Sequence, residues 1–406
     1  MRILFTMTGS WGTGSGTVVE AVTAELHERG HETLVLHPSA PGFDERRDGA
    51  EAWPFPIRND DAELETFPLM IPDPNPENLP DAPTYRTISD AQLQLFLDAY
   101  TEKLRTTVQD FQPDLLECQH VWAMPYVAAK LDLPYIAVAH HSDQMGFRFD
   151  PRMQPYAREA AQNARYVFAI SESVRANVLD LYGLPPERVV TIGNGYDQDV
   201  FTPRAVDRAA LLAAHDLTIP DDAPIITFAG KLSKTKGVDI LLEANRVLQA
   251  ARADAGEPPA HLILFGTGNL EDVLDANRDA YSLDHVHLLG HQPYTTVRDF
   301  HNVARFSVIP SRTEGFGIAG LEAMGCGLPL IATRSGGPET FAVGHVVEPE
   351  DVDALTDAML DLLRQPDDVY RALREEAHAR AREFSWGAIA EQRIAMYERA
   401  LAGPAL

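Results

Sequence analysis

The sequence has little lysine, little cysteine and no long apolar run, and each shortage excludes a class of protein. Five lysines and 29 arginines stand against 60 acidic residues, and the formal net charge is −26. Such an acidic chain repels nucleic-acid phosphates and anionic lipid headgroups, so nucleic-acid binding is not expected. The acid excess occurs in both halves of the chain, so it does not mark a charged tail.

Cysteine is too scarce for a disulfide framework, because Cys118 and Cys326 are the only two. Both lie in apolar segments, and we expect two buried free thiols, as is usual in a cytoplasmic protein. No stretch approaches the roughly 18 apolar residues of a transmembrane helix, and no signal-peptide core is expected at the N-terminus. The predicted location is the cytoplasm, without stable membrane insertion, although peripheral membrane contact stays open.

The remaining composition is that of a globular protein, with 45% hydrophobic and 23% charged residues in 406. This length predicts two or three domains. Short apolar strands alternate with amphipathic helices along most of the chain. The alternation predicts an α/β protein with doubly wound parallel sheets that are covered on both faces by helices.

The alternation stops and restarts near the middle of the chain, which predicts two Rossmann-like domains. We expect an N-terminal domain over 1–202, an Ala- and Asp-rich linker over 203–224, a C-terminal domain over 225–385 and a last helix over 386–406. Such domains present the carboxyl ends of their strands to a shared cleft. Residues 38–83 hold 10 of the 29 prolines and are predicted to form an irregular loop.

Three of the five lysines lie in the segment Gly230-Lys231-Leu232-Ser233-Lys234-Thr235-Lys236-Gly237. The segment follows a predicted strand and precedes a predicted helix. A helix N-terminus attracts an anion through its free amides, and ammonium groups neutralise the anion's charge. The pattern predicts an anion site, with a solvated run of charge as the alternative. It is not a P-loop, since the required glycine and Gly-Lys-Ser/Thr spacing are missing.

A second motif places two carboxylates around a glycine-rich turn. Glu314 and Glu322 are eight positions apart, and a helix is predicted to begin near Gly317. The backbone amides of Phe316, Gly317 and Ile318 would then be free donors. Carboxylates beside free amides suit a polyhydroxyl ligand attached to a phosphate. For either glutamate alone, a capping or surface role is the alternative.

His140 follows a predicted strand and therefore lies on the ligand side of the predicted sheet. A structural role is its alternative, and His141 is the competing functional histidine. The loop around Gly12, Gly14 and Gly16 departs from the G-x-G-x-x-G fingerprint, and no acidic residue ends the second strand. A nicotinamide dinucleotide site is therefore not expected.

The sequence offers only weak signs of a metal site. Asp197-Gln198-Asp199 and Asp351-Val352-Asp353 have the spacing of an acidic pair, but such spacings arise by chance in so acidic a chain. No cluster of His and Cys has zinc spacing. We therefore expect neither a metal nor another cofactor.

The sequence resembles the retaining, nucleotide-sugar-dependent glycosyltransferases of family 4, which have the two-domain GT-B fold. The Glu314-x7-Glu322 block is the most specific match, and the resemblance covers almost the whole chain except residues 38–110. The other matching blocks follow the family's order: Arg29–Glu32, Val138–Asp143, Ala169–Ser173, Gly193–Asp197 with Phe201, Gly230–Gly237, Phe265–Gly268 and Phe384–Trp386.

The resemblance implies a role for each matching residue. Glu314 would contact the donor sugar, and Glu322 would hold the ribose hydroxyls. Lys231 and Lys236 would bind the diphosphate, and His140 would lie near the sugar. The resemblance thus makes His140, Glu314 and Lys236 the catalytic set, with an acceptor-binding N-terminal domain, a donor-binding C-terminal domain and a last helix that crosses back onto the N-terminal domain.

Further donor contacts are implied by the same resemblance. Gly14 and Gly16 would approach the phosphates from the N-terminal domain, and His291 would lie in the segment that holds the base through backbone contacts. The remaining implied donor-binding positions are Gly266, Phe316, Gly317 and Ile318. Lys231 stands where the family commonly has Arg, which keeps the charge but loses the bidentate fork.

The expected activity is metal-independent, retaining transfer of a hexosyl group from a UDP-, GDP- or ADP-sugar to a hydroxyl of a small or sugar acceptor. The lysines and helix amides would neutralise the leaving diphosphate. Two alternatives stay open. One is a glycoside phosphorylase or disaccharide synthase of the same fold, and the other is a non-catalytic sugar-nucleotide-binding protein.

Overall fold

The chain divides into two compact units in a computed structural model. The first unit comprises Met1–Gly193 and Ile389–Leu406, and the second comprises Asn194–Ala388. The structure describes residues 1–9, 11, 14–39, 48–65, 69–71, 84–268, 270–273, 281 and 283–403.

The strands follow the predicted α/β alternation along the chain. Their bounds are β1 (Arg2–Thr6), β2 (Glu32–Ser39), β3 (Ala50–Pro54), β4 (Ile57–Arg58), β5 (Glu63–Leu64), β6 (Leu115–Gln119), β7 (Tyr135–Ala139), β8 (Tyr166–Ala169), β9 (Val189–Thr191), β10 (Ile225–Ala229), β11 (His261–Phe265), β12 (Val286–Gly290), β13 (Phe306–Ile309), β14 (Leu330–Thr333) and β15 (Gly344–Val347).

The helices lie between these strands and at the C-terminal end. Their bounds are α1 (Gly14–Glu28), α2 (Asp90–Phe111), α3 (Ala123–Lys130), α4 (Ser142–Phe149), α5 (Gln154–Asn163), α6 (Glu172–Tyr182), α7 (Arg208–Ala214), α8 (Val238–Asp254), α9 (Leu270–Val273), α10 (Tyr294–Val303), α11 (Ile318–Gly325), α12 (Val352–Arg364), α13 (Asp367–Arg382) and α14 (Trp386–Ala402). Single 3₁₀ turns occur at Pro186–Arg188 and Pro338–Thr340.

Each unit contains one parallel sheet, which confirms the predicted Rossmann-like architecture. The first sheet has the order β3-β2-β1-β6-β7-β8-β9, and the second has the order β12-β11-β10-β13-β14-β15. Strands β7 and β11 are buried at every position, as expected of strands covered by helices on both faces. In each sheet the carboxyl ends of the strands share one edge, where the loops with the predicted site residues begin.

Local sequence signals explain where several helices begin. Ser89 and Gln92 form a reciprocal capping box at the start of α2. The Ser171 hydroxyl accepts a hydrogen bond from the Val174 amide at 3.3 Å and so caps α6. In the second unit, apolar side chains of α8 and α12 meet those of β10, β11 and β13 to form a buried core.

Residues 38–83 are more regular than expected, so the prediction of an irregular loop is wrong for part of this range. Strand β3 pairs in parallel with β2 and forms the edge of the first sheet, and β4 and β5 form a short antiparallel pair. The buried Trp53 ring lies 5.0 Å from the Phe96 ring and 5.1 Å from the Tyr100 ring, both on α2. Aromatic packing of this kind holds a strand that its own sequence periodicity does not reveal.

The boundary between the two units lies between Gly193 and Asn194. Residues 194–202, expected in the N-terminal domain, belong to the second unit, as does the expected linker over 203–224. Helix α7 lies within that linker range, and the Arg204 backbone amide donates to Oδ1 of Asn302, on α10, at 2.7 Å. This segment is therefore folded onto the second unit.

Cys118 and Cys326 are both free and buried, which confirms the prediction of two buried free thiols. Burial raises the pKa of each thiol to about 12, so both are protonated at neutral pH. Among the described residues, no helix combines the length and the apolar character that crossing a membrane requires.

Candidate functional site

The lysine-rich segment forms a tight loop between β10 and α8. Gly237, which precedes α8, has φ +67°, and a Cβ added there would lie 1.9 Å from the carbonyl oxygen of Pro310. Only glycine therefore fits at this point of the loop. Lys231 is half-buried and has no carboxylate partner among the described residues, whereas Lys234 is exposed. The loop thus presents one unpaired cation at the carboxyl end of β10.

Lys236 and Glu314 form the central ion pair of the site. The Lys236 ammonium donates to Glu314 Oε2 at 2.6 Å, and the Ser311 hydroxyl donates to the same oxygen at 3.3 Å. The glutamate side chain is 14% exposed and the lysine side chain 30% exposed. These two residues, which sequence reasoning assigned to different motifs, therefore meet across 78 positions of chain.

A cleft of about 140 Å³ lies beside this ion pair. It is lined by residues of both motifs, and both members of the pair face it. The lining residues are Phe228, Ala229, Gly230, Lys236, Ile309, Ser311, Glu314, Gly317, Ile318 and Ala319. The cleft combines a cation, a carboxylate and a helix N-terminus, which is the set of groups that a charged polyhydroxyl ligand requires.

Helix α11 begins at this cleft, as the sequence predicted. Gly317 precedes the helix with φ +91°, and a Cβ there would lie 2.8 Å from Pro338 Cγ. The amides of Phe316, Gly317 and Ile318 have no backbone acceptor within the described part of the chain. These groups carry the partial positive charge of the helix N-terminus.

Arg312 joins the two motifs, and sequence reasoning gave it no role. Its guanidinium donates to both carboxylate oxygens of Asp239, at 2.8 and 2.9 Å, and to Glu350 at 2.8 Å. Its backbone amide donates to the carbonyl of Thr235, and its side chain contacts the carbonyl of Lys234. These ion pairs raise the pKa of Arg312. The bidentate geometry fixes the lysine loop against the loop that carries Glu314.

Glu322 lies on α11 and is half-buried. Loss of hydration, with a smaller contribution from the negative charge of Asp197, raises the pKa of its carboxyl group to about 7. Its side chain has no hydrogen-bond partner among the described residues. A partly buried carboxyl without a protein partner is available to accept hydrogen bonds from a ligand.

Gly266 and His291 follow neighbouring strands of the second sheet. The Gly266 amide donates to the carbonyl of Gly290 at 2.8 Å, and the Gly230 amide donates to the carbonyl of Phe265 at 3.0 Å. His291 is exposed and comes directly after β12. The predicted donor-binding positions of the second unit therefore all follow the carboxyl ends of strands in one sheet.

His140 follows β7 in the first unit and is half-buried. Its Nε2 lies 2.7 Å from Gln119 Oε1, and its backbone amide donates to Asp143 at 3.0 Å. Its ring centroid is 4.8 Å from that of His120. Burial, together with His120 and Arg393, holds the pKa of His140 well below 6.5, so the imidazole is neutral at pH 7.

The competing histidine and the N-terminal glycines also lie in the first unit. His141 has φ +79° and immediately precedes α4. Gly14 is exposed and Gly16 is buried, both in the first turn of α1. Gly12 of the same predicted loop lies outside the described residues.

The two acidic pairs considered as metal ligands have structural roles. Asp351 caps α12 by accepting a hydrogen bond from the Ala354 amide at 2.9 Å. Asp197 accepts from the amides of Asp199 and Val200, both at 3.0 Å, and so closes a turn. Within the ranges that the structure describes, no group of three or more His, Cys, Asp or Glu side chains is arranged to hold a metal ion.

Two family profiles match the chain, one in each half. Residues 12–200 match the family described as Glycosyltransferase Family 4, and residues 213–383 match Glycosyl transferases group 1. A D-inositol 3-phosphate glycosyltransferase of Catenulispora acidiphila is 31% identical over 268 residues, which is 61% of this chain and 62% of that protein. The matched region thus spans about three fifths of that relative's length.

Solved structures share the fold over nearly the whole chain. Sucrose-phosphate synthase from Thermosynechococcus elongatus has a TM-score of 0.73 and 21% identity, with 99% of each chain covered. The Anabaena protein HepE in complex with UDP has a TM-score of 0.71 and 17% identity, with 98% of this chain and 100% of that chain covered. At such identities the likeness establishes the fold.

Proposed function

We propose that the chain is a family 4 glycosyltransferase of the GT-B fold, which transfers a hexosyl group from a nucleotide-diphosphate sugar to an acceptor hydroxyl. The observation that carries this proposal is the ion pair between Lys236 and Glu314 beside the N-terminus of α11. A cation, a carboxylate and free amides in one cleft match the diphosphate and the hydroxyl groups of such a donor. HepE, a protein of the same fold, is known in complexes with UDP and with UDP-glucose.

The diphosphate would be held by fixed positive charge. Lys231 has no carboxylate partner among the described residues, and Lys236 would move its contact from Glu314 to the phosphates when the donor binds. The amides before α11 would bind the remaining oxygens. Preorganised groups of this kind are each worth about 3–4 kcal/mol in a transition state, so they stabilise the leaving diphosphate without a metal ion in this proposal.

The two glutamates would bind the hydroxyl groups of the donor. Glu314, once freed from Lys236, would accept hydrogen bonds from the sugar, and Glu322 would accept them from the ribose. Glu322 supports this role because its half-buried carboxyl lacks a partner in the described chain. Hydroxyl donors would favour its ionised form and lower its pKa.

For the acceptor we propose a small polyol or sugar, bound by the first unit. The relatives named D-inositol 3-phosphate glycosyltransferases support a small acceptor with several hydroxyl groups. The acidity of the chain also disfavours an acceptor that is embedded in an anionic membrane. We also propose that the transfer retains the anomeric configuration of the sugar and that the protein is located in the cytoplasm.

The donor is tested first by thermal denaturation with UDP-, GDP- and ADP-glucose. A ligand at about 100 times its dissociation constant stabilises a protein by about 2.7 kcal/mol, which is readily measured. We expect one nucleotide series to raise the melting temperature, and Lys236→Ala to abolish the shift. Lys234→Ala is the matched control, because this lysine is exposed and should leave the shift in place.

The reaction is then tested by transfer of labelled glucose to a panel of inositols, their phosphates and common sugars, with and without EDTA. Transfer that survives EDTA supports the proposal, and transfer restored only by added Mg²⁺ contradicts its metal-independent part. Binding without transfer or donor hydrolysis indicates a sugar-nucleotide-binding protein. Release of sugar phosphate from a glycoside by inorganic phosphate indicates a phosphorylase.

A further inference from the structure

In the first unit, a cluster of buried polar side chains is connected to His140 by a hydrogen bond. Strand β6 carries Glu117 and Gln119, both with no exposed surface. Glu117 accepts hydrogen bonds from Arg393 and Tyr397, two residues of α14 that are also fully buried. Their positions are separated from Glu117 by 276 and 280 residues of sequence.

Gln119 connects this cluster to His140. Its Nε2 donates to Glu117 Oε1 at 2.9 Å, and its Oε1 lies 2.7 Å from His140 Nε2. An ionised carboxylate can only accept, so the amide nitrogen of Gln119 must face Glu117 and the amide oxygen must face the imidazole. The imidazole is therefore the donor in the second contact, and its proton is on Nε2.

The opposite ring nitrogen of His140 is left unprotonated. Nδ1 has no partner among the described residues, yet it is not among their fully buried unpaired atoms, so solvent reaches it. The neighbouring His120 ring is neutral at pH 7, since burial lowers its pKa to about 4. His140 Nδ1 is consequently a hydrogen-bond acceptor at the carboxyl end of β7.

Stability alone is a poor explanation for the cluster. Desolvation of a buried ion pair offsets most of its Coulombic gain, and well-packed apolar residues often serve equally well. Arg393 Nε and Nη2 lack partners within the described residues, so the guanidinium is only partly satisfied. The cluster does, however, fix the orientation of the Gln119 side-chain amide.

We propose that Glu117, held by Arg393 and Tyr397, acts through Gln119 as a positioning group that keeps His140 in the Nε2-protonated tautomer. His140 Nδ1 then accepts a hydrogen bond from a substrate hydroxyl, either on the donor sugar or on the acceptor. This assignment of the hydroxyl rests on the proposed glycosyl transfer. The tautomer itself does not depend on it.

The tautomer is tested by NMR on the full chain with ¹⁵N-labelled histidine. Long-range ¹H–¹⁵N correlations, assigned to His140 by comparison with His140→Ala, should show a protonated Nε2 and an unprotonated Nδ1 in the wild type. In Gln119→Leu the two tautomers should become mixed. A wild-type imidazolium, a protonated Nδ1, or an unchanged tautomer in Gln119→Leu overturns the proposal.

The functional consequence is tested by kinetics of the same variant. We expect kcat of Gln119→Leu to fall by about ten- to a hundredfold, by analogy with the groups that orient metal-bound histidines, while KM for the donor changes little. Tyr135→Phe is the control, since it removes a buried hydroxyl hydrogen bond to Ala160 outside the cluster and should leave kcat unchanged. Equal losses in the two variants contradict the positioning role.

The proposed glycosyl transfer and the assigned His140 tautomer can be contradicted independently of each other. If the wild type transfers no sugar to any acceptor, the proposed function fails, and the spectrum of the free wild-type protein still decides the tautomer. The wild-type spectrum also decides it if Gln119→Leu does not fold.

Discussion

Glu322 is the residue whose chemistry depends most clearly on pH. Its carboxyl pKa of about 7 lies above the ordinary value of 4.5, so the folded protein binds a proton more tightly than the unfolded chain does. The stabilisation from this proton is complete below about pH 4.5 and is lost as the pH rises towards 7.

We therefore expect Glu322→Gln to raise the free energy of unfolding at pH 8, where the wild-type carboxylate is ionised and unpaired. The gain should be about 1–3 kcal/mol, because one pKa unit corresponds to about 1.4 kcal/mol. At pH 4.5 the two proteins should have equal stability. Denaturant unfolding at both pH values measures this, and a gain that is the same at both would contradict the role of the ionised carboxyl.

Arg312 has a proposed role, holding the lysine loop in place, that the structure indicates and the sequence alone does not. Arg312→Lys keeps the charge but loses the two parallel bonds to Asp239. We expect nucleoside diphosphate affinity to fall by about tenfold, since the lysine loop is no longer held in place. Titration calorimetry measures the affinity.

Arg334→Lys is the matched control for this substitution. Arg334 pairs with Glu348 on the surface, where both side chains are more than half exposed. Exposed pairs contribute about 0–1 kcal/mol, so nucleotide affinity should stay at the wild-type value. An equal loss in both variants would mean that Arg312 has no special role in binding.

At this scale, local spacing predicted where the motifs lie in the fold, while the roles of their residues stay predictions. The lysine segment and the two glutamates were predicted because each motif lies between a strand and a helix. Their contact at 2.6 Å, and the roles of Arg312 and Gln119, depend on pairs that are 21 to 78 positions apart. Spacing in one sequence carries no signal for such pairs.

At the scale of elements, most strands and helices were predictable from the sequence, but the edge strand β3 was not. The predicted alternation of apolar strands with helices agrees with the structure along most of the chain. Strand β3 was not predicted because it lies in a proline-rich segment. Its hydrogen bonds are made to β2, and its Trp53 side chain packs on α2. Its stability is tertiary, and tertiary contacts override local propensity.

Trp53 tests this explanation for β3. We expect Trp53→Ala to lower the free energy of unfolding by about 3–5 kcal/mol, because it leaves a cavity between the sheet edge and α2. Phe149→Ala, at a side chain that is 41% exposed, should cost much less. Denaturant unfolding measures both, and equal costs would show that the packing on α2 does not hold the strand.

Helix α14 offers a test that separates stability from positioning. Arg393→Met should cost about 3–5 kcal/mol of unfolding free energy, because it leaves the Glu117 carboxylate buried without its cation. The double variant Glu117→Leu/Arg393→Met should recover most of that stability and still show reduced kcat. Unfolding and kinetics on the same preparations measure both quantities. A double variant with full activity would contradict the positioning role of the pair.

At the scale of the whole molecule, the net charge of −26 opposes compaction by self-repulsion. Added salt screens this repulsion, since the Debye length falls from about 30 Å at 0.01 M to about 3 Å at 1 M. We expect the melting temperature to rise with KCl over this range while nucleotide affinity falls, because the lysines of the site are screened as well. Thermal denaturation with and without nucleotide measures both, and a melting temperature that falls with salt would contradict this view.

The architecture at this scale followed from the alternation of apolar strands and helices. It predicted two parallel α/β units, yet it placed the division near residue 202 rather than at Gly193. The difference arose because Ala-rich composition alone cannot distinguish a linker from a segment that packs on its neighbours, as this one does through the hydrogen bond from Arg204 to Asn302.

The contact between Glu117 and α14 has a consequence for synthesis on the ribosome. The strands and helices over 1–193 emerge first, but the cation that balances Glu117 is Arg393. Until that part of the chain has left the exit tunnel, the nascent first unit carries an uncompensated carboxylate at its centre. Most of the first unit is therefore synthesised before the second unit, but its core is completed only after the C-terminal helix has been synthesised.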